Sequence, residues 1–392
     1  MNSLSPVTGD KPRYEVLDGL RGVAAMIVVV FHLFETYSGG VDKQIINHGY
    51  LAVDFFYVLS GFVIGYAYDD RWPKMTVCSF FKRRLIRLQP MVVAGLVFGS
   101  ALFYLGDSPY APEVLRTPWT RLLLVLVIGC FMFPTPPSLD IRGWREITPI
   151  NGPQWSLMWE YVGNIFYALF VRRLSKTALA VLVVISALMT LDLALDIDVF
   201  GILDVRSHVR YTVIGGYGMS SEQIYIGLAR LCYPFFCGLL LFRLGRRLTV
   251  SHGGFGLCSL FLAAALAMPH AGTQSAPWLD GVYNATVIIA VFPLLVLTGA
   301  GSKIKSPRTI ALCRFLGEIS YPLYITHYPL IYIQFGWATR HPEASAGTHI
   351  AVAAGIFCLS IFVAYAMLRL YDLPVRQWLT RHWCRHNDST GS

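Results

Sequence analysis

Apolar runs of membrane-spanning length recur along almost the whole chain, and they constrain its fold more than any other feature. A helix needs about 20 largely apolar residues to cross a hydrocarbon core of about 30 Å. Runs that approach this length alternate with short polar loops from the first span to the last. The ten candidate spans are residues 17–34, 50–68, 88–105, 155–171, 177–195, 224–242, 253–268, 282–300, 319–337 and 350–368.

The overall composition agrees with this pattern. Of the 392 residues, 55% are hydrophobic and only 14% are charged, whereas a soluble domain carries about 25% charged residues. This surplus of apolar residues excludes an ordinary soluble enzyme, a disordered scaffold and a nucleic-acid binder. The net charge of +9 is typical of membrane-protein loops that face an anionic leaflet. The chain is therefore predicted to be an all-α integral membrane protein. Its expected partners include membrane lipids and no nucleic acid.

A shorter apolar run at residues 122–133 decides the topology. Its twelve residues would reach only about 18 Å as a helix, which favours a re-entrant or interfacial segment. If it does not cross, most loop Lys and Arg residues lie on one side, which the positive-inside rule makes cytoplasmic. We expect about ten spans with both termini cytoplasmic: an N-terminal tail at 1–16, a transmembrane domain at 17–370 and a C-terminal tail at 371–392.

The eight cysteines indicate neither a disulfide framework nor a metal site. Most lie inside apolar runs, and no two form a CxxC pair, which the common zinc motifs use. We interpret them as small buried hydrophobic residues, and no metal is expected in this protein.

Two titratable residues are expected at matching depth in the first two spans. His32 follows Arg21 by eleven residues, about 16 Å along a helix, and Asp54 lies near the outer start of span two. Ionisable groups within spans are costly and are functional candidates by default. A carboxylate beside an imidazole fixes its tautomer and stabilises the imidazolium, as a general base requires. We predict that His32 and Asp54 form a catalytic pair; the alternative is a buried polar pair without chemistry.

Glu160 and His327 are further catalytic candidates near that depth. Glu160 lies about 10 Å inward from Pro153, and His327 about 13 Å beyond Glu318 at the cytoplasmic end of its span. Each has a structural alternative, such as pairing or a bond to a backbone carbonyl. Arg230 is another charge within a span, and Glu160 or the substrate is its candidate counter-ion.

A basic run on the cytoplasmic side carries a different chemistry. The segment FKRRLIRLQP contains Lys82, Arg83, Arg84 and Arg87, with the last two at i and i+3 on one helix face. Guanidinium groups bind phosphates bidentately. The run is therefore a candidate site for a phosphorylated cofactor such as coenzyme A, although positive-inside topology places such runs beside many helices without a ligand.

Six ordered segments resemble one known family. They are LDGLRGVAAMIVVVFH, AVDFFYVLSGFVI, FFKRRLIRLQP, WSLMWEYVGNIFY, GEISYPLYITHYPL and YDLPVRQW, between about residues 14 and 380. Together they resemble membrane-bound acyltransferase family 3, which O-acylates bacterial surface polysaccharides, related oligosaccharides and some macrolides. The chain stops soon after the last segment, so it resembles the stand-alone subtype without a C-terminal SGNH domain.

The resemblance implies an enzyme of the bacterial inner membrane that moves an acyl group, commonly acetyl, from cytoplasmic acyl-CoA to a carbohydrate hydroxyl. The acceptor it implies is a surface polysaccharide or oligosaccharide, lipid-linked forms included. Acetyl-CoA or another acyl-CoA is the donor, and no metal is required because a thioester is already activated. By motif, the resemblance assigns cofactor binding to Arg21, Arg83, Arg84 and Arg87, and catalysis to His32, Asp54, Glu160 and His327.

Two other classes of function remain open at this point. A transporter or flippase for a glycan or lipid-linked sugar would use the His, Asp and Glu residues within its spans as a proton relay. A structural partner of an export complex would tolerate the replacement of His32 or Asp54.

Overall fold

The structure is a computed structural model that describes residues 11–38, 44–206, 209–245, 248, 250 and 254–383. These residues form helices and connecting loops, with no strand among them. Residues 1–10 and 384–392 of the two predicted tails lie outside the described part. The α-helices are α1 (Glu15–Ser38), α2 (Ala52–Tyr68), α3 (Val77–Ala101), α4 (Trp119–Cys130), α5 (Gln154–Leu169), α6 (Lys176–Ala194), α7 (Ser221–Leu244), α8 (Gly254–Ala267), α9 (Trp278–Thr286), α10 (Phe292–Gly301), α11 (Pro307–Thr326), α12 (Tyr328–Arg340), α13 (Ala346–Met367) and α14 (Leu373–Trp383).

Within the described residues, six helical stretches are long and apolar enough to cross a membrane. Each overlaps one of the predicted spans, although Ala346–Trp383 continues into the predicted C-terminal tail. Two of the stretches consist of neighbouring helices joined by a π-helical turn. The chain is therefore a polytopic α-helical membrane protein, as the sequence predicts. The stretches are Glu15–Ser38, Gly49–Tyr68, Lys176–Ala194, Ser221–Leu244, Trp278–Gly301 and Ala346–Trp383.

The other four predicted spans are helical, but they do not meet the same criteria of length and hydropathy. Helix α5 has 16 residues and α8 has 14, while α3 carries the basic run near its start. The fourth, residues 319–337, falls on two helices. That these four cross the membrane stays a prediction. The run at 122–133 coincides with α4, whose 12 residues are too few to cross.

The predicted span at 319–337 is not one continuous helix, because α11 ends at Thr326 and α12 begins at Tyr328. Pro329 has no backbone N–H, so the carbonyl four residues earlier, that of Ile325, loses its helical donor. The buried side chain of Asn151 supplies a replacement, with its Nδ2 donating to the Ile325 oxygen at 2.6 Å. The break therefore places His327 at a junction between two helices.

Helices α2 and α7 lie side by side, and two glycines let their backbones approach. A Cβ added to Gly61 of α2 would overlap the carbonyl of Phe235, and one added to Gly238 of α7 would overlap the carbonyl of Val58. Small residues at crossing points are a common basis of helix association in membranes.

Helices α1 and α11 form a second pair with the same kind of contact. A Cβ on Gly22 of α1 would lie 2.5 Å from the backbone oxygen of Leu316, and one on Gly317 of α11 would lie 2.8 Å from the Cβ of Asp18. Both separations are far shorter than van der Waals contact. The bundle thus contains two closely apposed helix pairs, α2–α7 and α1–α11.

Replacing Gly238 by Ala tests the α2–α7 contact. The added methyl group would force the two backbones apart, and overpacking of this kind costs about 1–3 kcal/mol. We expect a clear fall in thermal unfolding temperature of the purified protein in detergent. Gly355→Ala is the matched control, because a Cβ at that exposed helical position meets no atom within 4 Å. Equal unfolding temperatures for the two variants would contradict the close contact.

Candidate active site

A cavity of about 680 Å³ lies between the two helix pairs. Its walls include α1 residues near His32, the start of α2, the α7 residue Arg230, and the junction of α11 with α12. Loop residues from 110 to 153 and from 214 to 217 complete the lining. Aromatic rings dominate several walls, and they include those of Tyr110, Trp144, Trp155, Tyr217, Tyr324 and Tyr328.

His32 lines this cavity, and its partner is Glu35. The His32 Nδ1 lies 2.7 Å from Glu35 Oε2, one helical turn further along α1. Tyr328 donates its hydroxyl to the same carboxylate oxygen at 3.4 Å. A carboxylate oxygen accepts, so in the neutral imidazole Nδ1 carries the hydrogen and Nε2 keeps its lone pair, with no hydrogen-bond partner among the described residues. This is the geometry of a carboxylate-oriented general base.

The predicted pairing of His32 with Asp54 is wrong, because Asp54 is bound by Arg230. The Arg230 Nη2 lies 2.7 Å from Asp54 Oδ2, and its Nε lies 3.3 Å from Oδ1. Both side chains are buried, and Nη2 also donates to the Tyr50 carbonyl at 2.7 Å. A permanent cation in a protein interior needs a full counter-charge, and a bidentate carboxylate supplies it. Glu160, the counter-ion considered for Arg230, is bound elsewhere.

His327 lies beside His32, with 5.5 Å between the ring centroids. Its Nδ1 donates to the carbonyls of Leu323 and Tyr324, each at 3.0 Å, because a carbonyl cannot donate. The Nε2 is therefore an acceptor; it is buried and has no hydrogen-bond partner among the described residues. The structure thus brings His32 and His327 together as expected, and one nitrogen of each ring has no hydrogen-bond partner within the described ranges.

Glu160 pairs with Arg84. This contact connects a predicted catalytic residue to a predicted cofactor-binding residue. The Arg84 Nη2 lies 2.7 Å from Glu160 Oε1, and Ser60 donates to the same oxygen at 2.9 Å. One turn before Glu160 on α5, Ser156 Oγ lies 2.7 Å from the Tyr324 hydroxyl, which lines the cavity. A series of polar side chains therefore leads from the cavity to the basic residues of α3.

Arg21, on the N-terminal part of α1, is held by α11. It donates to Ser320 Oγ and to the Gly317 carbonyl at 2.8 Å each, and it lies 3.3 Å from Asp18. Its charge is therefore partly neutralised within the bundle.

Arg87 differs from Arg21 and Arg84, because it has no hydrogen-bond or ion-pair partner among the described residues. The cations Arg84, Arg21 and Arg376 all lie within electrostatic range of it. Arg83 is exposed. Of the predicted cofactor-binding arginines, Arg87 thus offers the guanidinium that is both partly buried and free to bind an anion.

Glu146, in the loop before α5, is a cavity residue that sequence reasoning missed. Burial raises its pKa from 4.5 to about 8, although the Arg142 guanidinium opposes the shift, and the nearby Glu35 and Asp140 reinforce it. Its Oε2 has no hydrogen-bond partner among the described residues. The raised pKa favours the protonated carboxyl group, which can donate a hydrogen bond to a ligand. Its only sequence signal was a lone acidic residue in a loop.

Comparison with known proteins supports one family. The family profile described as "Acyltransferase domain" matches residues 14–369. "Acyltransferase MdmB" of Streptomyces mycarofaciens is 24% identical over 94% of this chain and 93% of its own length. "Protein 2 in picA locus" of Rhizobium radiobacter is 32% identical over 47% of this chain and 96% of its own length.

A more local match covers 24% of this chain and 15% of the relative. It is 37% identical to a "Putative O-acetyltransferase" of Staphylococcus aureus (strain COL). The search of solved structures produced no match.

Replacing Asp54 by Asn tests the buried ion pair. The change leaves the Arg230 charge without a counter-ion, and breaking a buried pair costs about 3–5 kcal/mol. We expect the double variant Asp54→Asn/Arg230→Gln to lose less free energy of unfolding than the sum of its two single variants. The measurement is chemical denaturation in detergent. The pair Asp54→Asn and His32→Ala is the control cycle and should be nearly additive; stronger coupling there would contradict the pairing.

Proposed function

This chain belongs to acyltransferase family 3 and is an integral membrane O-acyltransferase, and we propose that it moves an acyl group from cytoplasmic acyl-CoA to a carbohydrate hydroxyl. Acetyl is the proposed acyl group, and the bacterial inner membrane is the proposed location. The main support is His32, which lines the 680 Å³ cavity. Its Nδ1 is bound by Glu35, and its Nε2 has no hydrogen-bond partner among the described residues.

In the proposed reaction His32 acts as the general base. Its Nε2 takes the proton of the acceptor hydroxyl while that oxygen attacks the thioester carbonyl. The C–S bond then breaks, and the leaving thiolate takes the proton back from the imidazolium. The products are an ester and free coenzyme A, so no other reactant is consumed. Glu35 holds the imidazole in the required tautomer, and a positioned base of this kind contributes about 10²- to 10⁴-fold.

The remaining candidates have supporting roles in this proposal. Asp54 acts as a positioning residue, since it holds Arg230 against the cavity wall. His327 Nε2 is a second acceptor beside His32 and is suited to orient the hydroxyl group. Glu160 keeps Arg84 in place between the cavity and the basic end of α3.

The donor is proposed to enter at the end of the bundle where α1 begins. Arg87 is supported as a phosphate ligand because it has no hydrogen-bond or ion-pair partner in the described part of the chain and lies within electrostatic range of three other arginines. An anion would stabilise this arrangement. Arg83 adds an exposed positive charge nearby. The acyl arm would then follow the polar side chains of Arg84, Glu160 and Ser156 towards the cavity.

The aromatic walls of the cavity support a carbohydrate acceptor. Rings such as those of Trp144, Trp155 and Tyr328 present flat apolar faces, while Glu146 and Arg230 supply hydrogen-bonding groups. This combination suits a sugar ring, which has apolar C–H faces and a polar edge. Ligand sites typically have volumes of about 300–1,000 Å³, and this cavity falls inside that range. A surface polysaccharide, an oligosaccharide or a lipid-linked sugar is the proposed acceptor.

His32→Ala and Glu35→Gln test the base. The purified protein is incubated with acetyl-CoA and a panel of oligosaccharides, and free thiol and acetylated sugar are both measured. We expect His32→Ala to lower the rate about 10²- to 10⁴-fold. Glu35→Gln should lower kcat and leave KM for acetyl-CoA unchanged, because it disturbs only the imidazole. Glu343→Gln, at an exposed loop position, is the matched control. Wild-type rates in His32→Ala would refute the assignment.

Arg87→Ala tests the donor site. Loss of its guanidinium should raise KM for acetyl-CoA about tenfold or more, because charge-assisted bonds to phosphate are worth about 1.5–3 kcal/mol. The variant should also lose any preference for acetyl-CoA over its 3′-dephospho form. Arg116→Ala is the control, since this exposed arginine lies in the loop beyond the opposite end of α3. An unchanged KM in Arg87→Ala would move the donor site elsewhere.

A further inference from the structure

Three potential metal ligands meet next to the cavity but outside it. They are His48 before α2, His270 between α8 and α9, and Asp280 in the first turn of α9. One ligand atom from each lies within 4.8 Å of the other two. The cysteine pattern gave no sign of a metal, and no sequence motif joins these residues, because His48 is far from the other two in the chain.

The tautomer of His48 follows from its neighbours. Asn284 Nδ2 donates to the Asp280 and Tyr211 carbonyls, so its Oδ1 is the acceptor for the Tyr50 hydroxyl at 2.8 Å. The Tyr50 hydrogen is thereby used, and its oxygen can only accept from His48 Nδ1, which lies 3.2 Å away. His48 Nε2 therefore carries a lone pair. It is fully buried and has no partner among the described residues.

The other two residues also have free donor atoms. Asp280 Oδ1 accepts from the backbone N–H groups of Ala271 and Gly272, at 2.7 and 2.9 Å, which leaves Oδ2 available. That oxygen lies 3.3 Å from His270 Nδ1 without the geometry of a hydrogen bond. Both ring nitrogens of His270 are buried and lack a hydrogen-bond partner among the described residues.

We propose that His48, His270 and Asp280 bind a divalent transition metal, for which zinc is the best chemical match. Two imidazole nitrogens and one carboxylate oxygen suit zinc, which binds such atoms at about 2.0–2.2 Å. Binding would draw the three donor atoms together by a modest movement of two loops. The hydrogen bond from His48 Nδ1 to Tyr50 is the kind of outer contact that fixes the tautomer of a metal-bound histidine.

The proposed role of the metal is to clamp the cavity wall, and the proposal does not depend on the reaction. The His48 N–H already donates to the Leu266 carbonyl at 3.0 Å, which connects the segment before α2 to the end of α8. Tyr50 lines the cavity, and its carbonyl binds Arg230. A metal at His48 would therefore fix the backbone that supports the buried Arg230–Asp54 pair.

Metal content and metal binding test this site. Full-length protein, purified in detergent and stripped with a chelator, is titrated with zinc against a fluorescent competitor. We expect one tight site per chain and a higher unfolding temperature with zinc. His48→Ala and His270→Gln should each weaken zinc binding about 100-fold or more and abolish the thermal shift. Cobalt substitution should give the visible absorption of a tetrahedral site.

Two histidines outside this cluster, the exposed His341 and the partly buried His349, give a matched control. His341→Ala and His349→Ala should leave the stoichiometry and the thermal shift unchanged. If His48→Ala fails to fold, His270→Gln still decides the outcome, because its side chain is only partly buried. Zinc binding that survives in His270→Gln, or no tight site in the wild type, would overturn the proposal.

Discussion

The ion pair between Arg230 and Asp54 is the interaction on which the centre of the bundle depends. Moving isolated charges out of water costs several kcal/mol each, and the cost is recovered only with good geometry and further hydrogen bonds. Here the guanidinium makes two contacts with the carboxylate and a third with the Tyr50 carbonyl. The pair joins α2 to α7, and it also holds the residues at the start of α2 that line the cavity.

Other arginines in the interior also have partners within the bundle. The presence or absence of such a partner distinguishes structural groups from candidate reactive groups. Arg84 is neutralised by Glu160, and Arg21 is held by α11. Among the described residues, the groups without a hydrogen-bond partner near the cavity and the basic run include the Nε2 of His327 and the Oε2 of Glu146, the Nε2 of His32 and the guanidinium of Arg87. Because most buried polar groups in proteins are satisfied, these four groups are candidates for substrate binding.

The sequence predicts where individual helices lie along the chain, but it does not predict which side chains from different helices contact each other. The spans that become α1, α2 and α7 follow from run length alone. Which helices lie side by side is a tertiary property, so Asp54 was matched with His32 by depth, although Arg230 on α7 was its neighbour. The convergence of His32 and His327 could be anticipated because both lie on recognisable segments.

For two features that the sequence analysis did not predict, the partner of His32 and the helix break at 319–337, the sequence itself contains a signal. Glu35 follows His32 by three residues, a spacing that places both side chains on one helix face. Pro329 indicates the break between α11 and α12, because proline lacks the backbone N–H that a helix uses as a donor. The Glu146 site had no comparable signal, since the burial that raises its pKa comes from loop packing around it.

The glycine contacts also bear on how the cavity could open. With backbones touching at Gly61 and Gly238, α2 and α7 cannot slide past one another, and Gly22 and Gly317 impose the same limit on α1 and α11. Each helix pair should therefore move as a rigid body. The cavity lies between these two rigid bodies. A small shear of one helix pair against the other would widen or narrow the cavity without disturbing the glycine contacts within either pair.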